Sequence, residues 1–113
     1  MYDLEDRTFQ FAKDVAIYLK KIPKTSANIE YSKQVIRSSG SVGANYIEAN
    51  ESLSKKDFVM RVKICRKEAK ETSYWLKLPV ETNDVAHTSI GEKLIQESDE
   101  LKKIFSSIIE KSK

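Results

Sequence analysis

Residues 54–77, SKKDFVMRVKICRKEAKETSYWLK, decide the fold. Phe58, Val62, Cys65, Ala69, Thr72 and Leu76 recur at steps of 4, 3, 4, 3 and 4. That is the period of one helical face and not the alternation of a strand. Ser54-x-x-Asp57 resembles a capping box, with Asp in place of the usual Glu, and sets the start of the helix. Pro79 is expected to close it.

Outward from this segment the same pattern repeats three times. Downstream, residues 79–88 form a polar break expected to be mobile. A full capping box, Ser89-x-x-Glu92, then opens a stripe of Ile90, Leu94, Ser98, Leu101, Phe105 and Ile108. Upstream lies a segment from about Ser26 to Asn50, N-capped by Thr25 or Ser26. It carries two seams, Tyr31/Val35/Ser38/Val42/Asn45/Ala49 and Ile29/Ile36/Gly40/Gly43/Ile47, well over 100° apart. Its middle, Ser38 to Ala44, holds two glycines, each costing roughly 1 kcal/mol against Ala in a helix interior. That stretch reads either as a loop or as a helix that lets a neighbour come close; both seams stay in phase across it. The first segment, about Asp3 to Ile22, carries Leu4, Thr8, Phe11, Val15, Tyr18 and Ile22. Its first turn is acidic, Lys20 and Lys21 are expected in its last turn, and Pro23 ends it.

Four rods of about 20–25 residues, roughly 30–37 Å long, with short breaks at 23–25 and 51–54, give an all-α protein. The architecture expected is an antiparallel up-down-up-down four-helix bundle, one domain over residues 1–113. The core would contain Phe11, Val15, Val35, Val42, Phe58, Val62, Ala69, Leu76, Leu101 and Phe105. Composition agrees. Three Gly and two Pro are too few for the turns of a sandwich or barrel. The charged share of 33% suits long amphipathic helices. A single Cys excludes an internal disulfide and an all-Cys metal site, and a single His excludes a His-pair zinc site. No apolar run reaches a membrane span, and the N-terminus, MYDLEDRTF, lacks the pattern of a signal peptide. The expectation is a cytoplasmic protein without membrane contact.

Charge is distributed unevenly. The whole chain carries +3, whereas residues 55–77 alone carry +5. Lys56, Lys63, Lys67, Lys70 and Lys77 fall within about 80° of one another, opposite the apolar seam. This ridge reads as a footprint for phosphate backbones or as an ordinary solvated helix face. A second line, Gln34, Arg37, Ser41, Asn45 and Glu48, shares one face of the second helix, and Arg61, Glu68 and Trp75 stand at seven-residue spacing on the third. Arg37, Ser41, Asn45, Glu48, Arg61, Glu68 and Trp75 therefore form either a recognition surface or a polar network between helices or subunits. Cys65 on the apolar seam reads as an inert thiol, His87 as a surface residue. Glu68 and Glu71 lack the further Glu and His of a di-metal site. Gly40-x-x-Gly43 is too short for a dinucleotide fingerprint. No catalytic residue, metal ligand or cofactor is expected, and the protein is not expected to be an enzyme.

Three pieces together resemble a known family: Ser41-Val42-Gly43-Ala44-Asn45-Tyr46-Ile47-Glu48-Ala49, Ser54-Lys55-Lys56-Asp57-Phe58, and Lys67-Glu68-Ala69-Lys70-Glu71-Thr72-Ser73-Tyr74-Trp75-Leu76. They are similar to the bacterial four-helix bundle proteins of 23S rRNA intervening sequences, a family related to the accessory protein of diversity-generating retroelements. The resemblance implies a homopentameric ring and nucleic-acid contact, without known catalysis. The periodicity independently asks for self-association, because a bundle helix needs one apolar stripe and the second helix has two. The expected partners are thus further copies of this chain and either RNA or DNA; the alternative is a scaffold whose ring binds a protein partner.

Overall fold

The computed structural model describes residues 3–84 and 86–113. Met1 and Tyr2 of the acidic N-terminal stretch, and Val85 of the polar break, lie outside the described residues. Four helices follow in order: α1 (Leu4–Leu19), α2 (Ser26–Asn50), α3 (Lys55–Thr82) and α4 (Thr88–Lys111), with no strand among the described residues. Three of the four starts are capped by side chains, at Thr25 and Ser54 as the sequence marks and at Asp3, which stands just before the first turn rather than in it. Asp3 accepts from the Asp6 N–H at 2.8 Å, Thr25 from Asn28 at 3.1 Å and Ser54 from Asp57 at 3.1 Å. Each bond satisfies a donor that the first helical turn leaves open. α2 runs unbroken through Ser38–Ala44, so this stretch is helix and not loop.

Consecutive helices lie side by side, and α3 packs most extensively, against α2 and α4. Cross-helix pairs run in opposite order along partner helices. Ser73 meets Asp99 where Arg66 meets Ser106, and Arg37 meets Glu71 where Asn45 meets Arg61. The helices are therefore antiparallel, in an elongated bundle of 46 × 24 × 20 Å. The contact of α1 with α4 is the thinnest. It is reinforced by a bidentate pair from the Arg7 guanidinium to Glu97, at 2.7 and 2.8 Å.

The four apolar stripes meet inside. Phe11, Val15, Val35, Val42, Val62, Ala69, Leu76, Leu101 and Phe105 are buried, and Phe58, near the start of α3, is half-buried against them. Hydroxyls interrupt this core at mid-length. Thr72 Oγ1 lies 2.8 Å from Ser38 Oγ and 2.8 Å from the Glu68 carbonyl oxygen, and Ser98 Oγ donates to the Ala69 carbonyl at 2.6 Å. Among the described residues no buried side-chain polar atom lacks a partner.

Three local expectations need correction. α1 stops at Leu19, so Lys20 is its C-cap and Lys21 lies beyond, outside the last turn. Pro23 keeps Ile22 from helical geometry, and the Lys21 N–H folds back onto the Tyr18 carbonyl at 2.9 Å. Ile22 still reaches the core.

Pro79 does not end α3, which continues to Thr82. The ring forfeits one helical hydrogen bond but is fully buried. Asn83 restores the end by donating to the Pro79 carbonyl from its backbone, at 3.2 Å, and from its amide, at 2.7 Å. Asn83 and Asn28 also exchange amide bonds of 2.8 and 3.0 Å, and Asn28 donates to the Pro23 carbonyl at 2.9 Å. The end of α3 is thus tied to the α1–α2 turn.

Finally, α4 starts one residue before Ser89, with His87 at the capping position in left-handed geometry (φ 66°) and no side-chain cap. The Ser89/Glu92 box does not form, because the reversal after the lengthened α3 is made by His87. Its carbonyl accepts from Ile90 and Gly91 at 3.1 and 3.2 Å. Gly91 is needed here: a Cβ at this position would stand 2.4 Å from Val80 Cγ2 and 2.9 Å from the Tyr18 hydroxyl.

Candidate nucleic-acid interface

α3 presents its apolar seam inward, so residues on the opposite face are forced outward, and Lys56, Lys63, Lys67, Lys70 and Lys77 are all exposed. The middle three line a groove between α3 and α4 of about 460 Å³, together with Arg66, Lys102 and Ser106. Five cations and a hydroxyl make up that lining, and no carboxylate does. Among the described residues none of these five cations lies within 4.0 Å of an acidic side chain. Arg66 is held on the groove wall at 3.5 Å from Ser106 Oγ. Lys56 and Lys77 stand on the same helical face, seven residues beyond Lys63 and Lys70, and do not line the groove.

Sequence reasoning missed Arg66 and Lys102. Arg66 sits between the core seam and the ridge, on the flank that α4 covers. Lys102 follows the buried Leu101 on α4, and only the register of two helices reveals that it faces α3. The periodic positions of both were readable; their juxtaposition was not.

The second polar line lies on the opposite flank of α3, against α2. The Arg37 guanidinium is 3.0 Å from Glu71 and 3.5 Å from Glu68. Ser41 Oγ donates to the Arg37 carbonyl at 2.8 Å, Asn45 donates to the Ser41 carbonyl at 2.8 Å, and Arg61 donates to the Asn45 amide oxygen at 3.0 Å. Glu71, which the sequence reading did not include in this line, thus joins Glu68 opposite Arg37, and Glu48 does not. Glu48 instead lines a shallow pit at the α2–α3 turn with Arg61, Leu53, Met60 and Ile64. The hydrogen bond that Arg37 donates to Glu71 raises the basicity of Arg37. Burial nevertheless raises the Glu68 carboxyl above its ordinary value, with Glu71 adding repulsion. Burial of Glu68 outweighs its half-exposed cation, as a loosely held pair should show. Trp75 is half-buried against the core and meets the ring of Tyr74 edge-on, with centroids 5.1 Å apart at 81°.

Burial pushes the Cys65 thiol up to about 12, which leaves it protonated and inert at neutral pH. His87 is exposed in the α3–α4 turn. Among the described residues no three His, Cys, Asp or Glu side chains converge as metal ligands, and no described helix is long and apolar enough to cross a membrane.

One face is left without a partner. Ile29, Ile36 and Ile47 are 43%, 54% and 49% exposed along α2. A Cβ built at Gly40, between them, meets nothing within 4 Å. Gly43 differs, since its Cβ would press on Thr8 Oγ1 at 2.9 Å, where α1 crosses close. The second seam of α2 therefore serves α1 at Gly43 and solvent elsewhere.

A family model described as 23S rRNA-intervening sequence protein matches residues 2–107. The chain is similar to a crystal structure of a protein of unknown function from the S23 ribosomal protein family of Bacteroides thetaiotaomicron. The two share 33% identity over 95% of this chain and 98% of that chain, with a TM-score of 0.79. No curated protein matches.

Proposed function

Because the chain belongs to the 23S rRNA-intervening sequence protein family, we propose that it acts as a non-enzymatic, homo-oligomeric bundle that binds nucleic acid through the α3–α4 groove. The observation that carries this reading is the lining itself: five cations from two helices and no carboxylate. Surface lysines normally alternate with acids, as in the pairs Lys33–Glu30 and Lys113–Glu110 elsewhere on this molecule. An uncompensated row desolvates poorly against protein but exchanges counterions readily with phosphates. Four of the five cations are lysines, which offer point charges and not the fork that reads base edges, and the fork of Arg66 is turned to Ser106 on the groove wall, so sequence preference should be slight.

The exposed stripe of α2 supports self-association, with Gly40 as the place where a second backbone comes near. Five copies is the stoichiometry that the family resemblance implies, and a ring would multiply weak single-site contacts. The same stripe, with Leu53, Met60 and Ile64 in the mixed polar and apolar pit at the α2–α3 turn, favours a second reading, a scaffold that binds protein and not nucleic acid.

Fluorescence anisotropy of labelled oligonucleotides at graded salt decides between them. Five phosphate contacts give a log–log slope near −3.5 on single strands and near −4.5 on duplex. Lys63→Gln with Lys67→Gln removes two, leaving about −2.1 and −2.7, with helical content unchanged. No binding at low salt, or a slope unaltered by the double substitution, overturns the groove and leaves the scaffold.

A further inference from the structure

We propose that the α3–α4 groove, with the cation row that continues from it along α3, takes single-stranded nucleic acid in preference to duplex, and that Tyr74, in that row just beyond the groove lining, is a platform on which an unpaired base stacks. The inference rests on the nucleic-acid reading above and adds the class of ligand.

Lys63, Lys67, Lys70, Tyr74 and Lys77 step by 4, 3, 4 and 3 along α3, which places the phenol ring in the row of cations. Tyr74 is 60% exposed and is not among the side chains packed on the core. Its hydroxyl makes no hydrogen bond among the described residues, as the bonds of its neighbours Thr72 and Ser73 go elsewhere. The ring therefore contributes little to the fold, and its edge meets Trp75. An exposed aromatic flanked by uncompensated cations has the two parts that bind unpaired strands, a charged track and a stacking surface.

Duplex fits less well. Its bases are already stacked inside, and a ring on a convex helix surface cannot reach them without melting the pair. The cations also form one main track of about 21 Å from Lys63 to Lys77, widened at the groove by Arg66 and by Lys102 from α4. One backbone can follow such a track, whereas the second strand of a duplex would find no matching row.

The test uses the full chain, a labelled 12-nucleotide oligoadenylate as RNA and as DNA, a blunt duplex of equal length, and an abasic oligomer with the same phosphates. The expected result is tighter binding to the single strands than to duplex. Tyr74→Ala should weaken oligoadenylate binding by about 5- to 150-fold, the worth of one base stack, and leave the abasic oligomer unaffected. Tyr74→Phe, which keeps the ring, should stay within about twofold of the parent. Duplex bound as tightly as single strand, or an equal loss on the abasic oligomer, overturns the inference while the groove stands. If the parent binds none of the four, the nucleic-acid reading falls and takes this one with it. Circular dichroism of each variant shows whether the helices persist. Parallel RNA and DNA titrations separate a 2′-hydroxyl preference from stacking alone.

Discussion

Gly40→Ala should move two quantities in opposite directions. In the separate subunit the new methyl meets nothing within 4 Å, and Ala is better than Gly in a helix interior by about 1 kcal/mol. For 113 residues the entropy of unfolding is about 0.24 kcal/mol/K, so the dilute chain should melt about 4 °C higher. If another copy lays a helix across Gly40, the same methyl enters a tight contact. Overpacking of that kind costs about 1–3 kcal/mol, a five- to 150-fold weaker association. The assay is thermal unfolding at submicromolar and at high micromolar protein, with sedimentation velocity in parallel. The parent midpoint should rise with concentration. The Gly40→Ala midpoint should be higher when dilute, rise less, and accompany a lighter sedimenting species. A parent midpoint independent of concentration, with Gly40→Ala stabilising equally throughout, would refute the reasoning and make the α2 stripe plain solvent surface.

The same substitution at Gly91 should destabilise by about 1–2 kcal/mol in urea unfolding, since overlap with Val80 and Tyr18 exceeds the helical gain. Equal or higher stability would show that α4 can shift away without cost. Glu68 gives a pH prediction. Its folded carboxyl titrates above the ordinary 4.5, so the native state binds the proton more tightly than the unfolded chain does. Stability contributed by this group therefore falls as pH rises from about 4.5 through the raised value and is level above it. Glu68→Gln should remove that fall, so its stability relative to the parent should grow across the window; a constant difference from pH 4 to 7 would contradict it.

Much of the bundle is legible in residue spacing because burial and helical period are the same information. The stripes of α1 and α3, the caps at Thr25 and Ser54 and the continuity of α2 follow from local chemistry. The failures come where distant parts intervene. Pro79 is an apparent stop, but its burial and the Asn28–Asn83 exchange, 55 residues apart, carry α3 onward. Ser89 and Glu92 have the right letters for a cap, yet the left-handed turn at His87 advances the helix past them. The candidate groove was half visible. The Lys63, Lys67 and Lys70 row belongs to one helix and can be counted, whereas Arg66 and Lys102 enter only through the register of α3 against α4. The pairing of Arg37 with Glu71 enters likewise, through the register of α2 against α3.

The hydroxyl layer at mid-core bears on that register. Sliding α3 by one turn would carry Thr72 away from Ser38, and the Ala69 carbonyl away from Ser98, by about 5.4 Å. The alignment of α3 is therefore indexed, with widely separated permitted settings and none between. The Ala69–Ser98 bond lies beneath the groove, one residue from Lys70 and four from Lys102. The spacing of cations across the two helices is thus inherited from a buried contact that no ligand touches. Surface residues of α3 and α4 can drift in kind over evolutionary time while the gauge between their rows stays fixed. A change of Ser98 to an apolar residue would loosen that gauge from within.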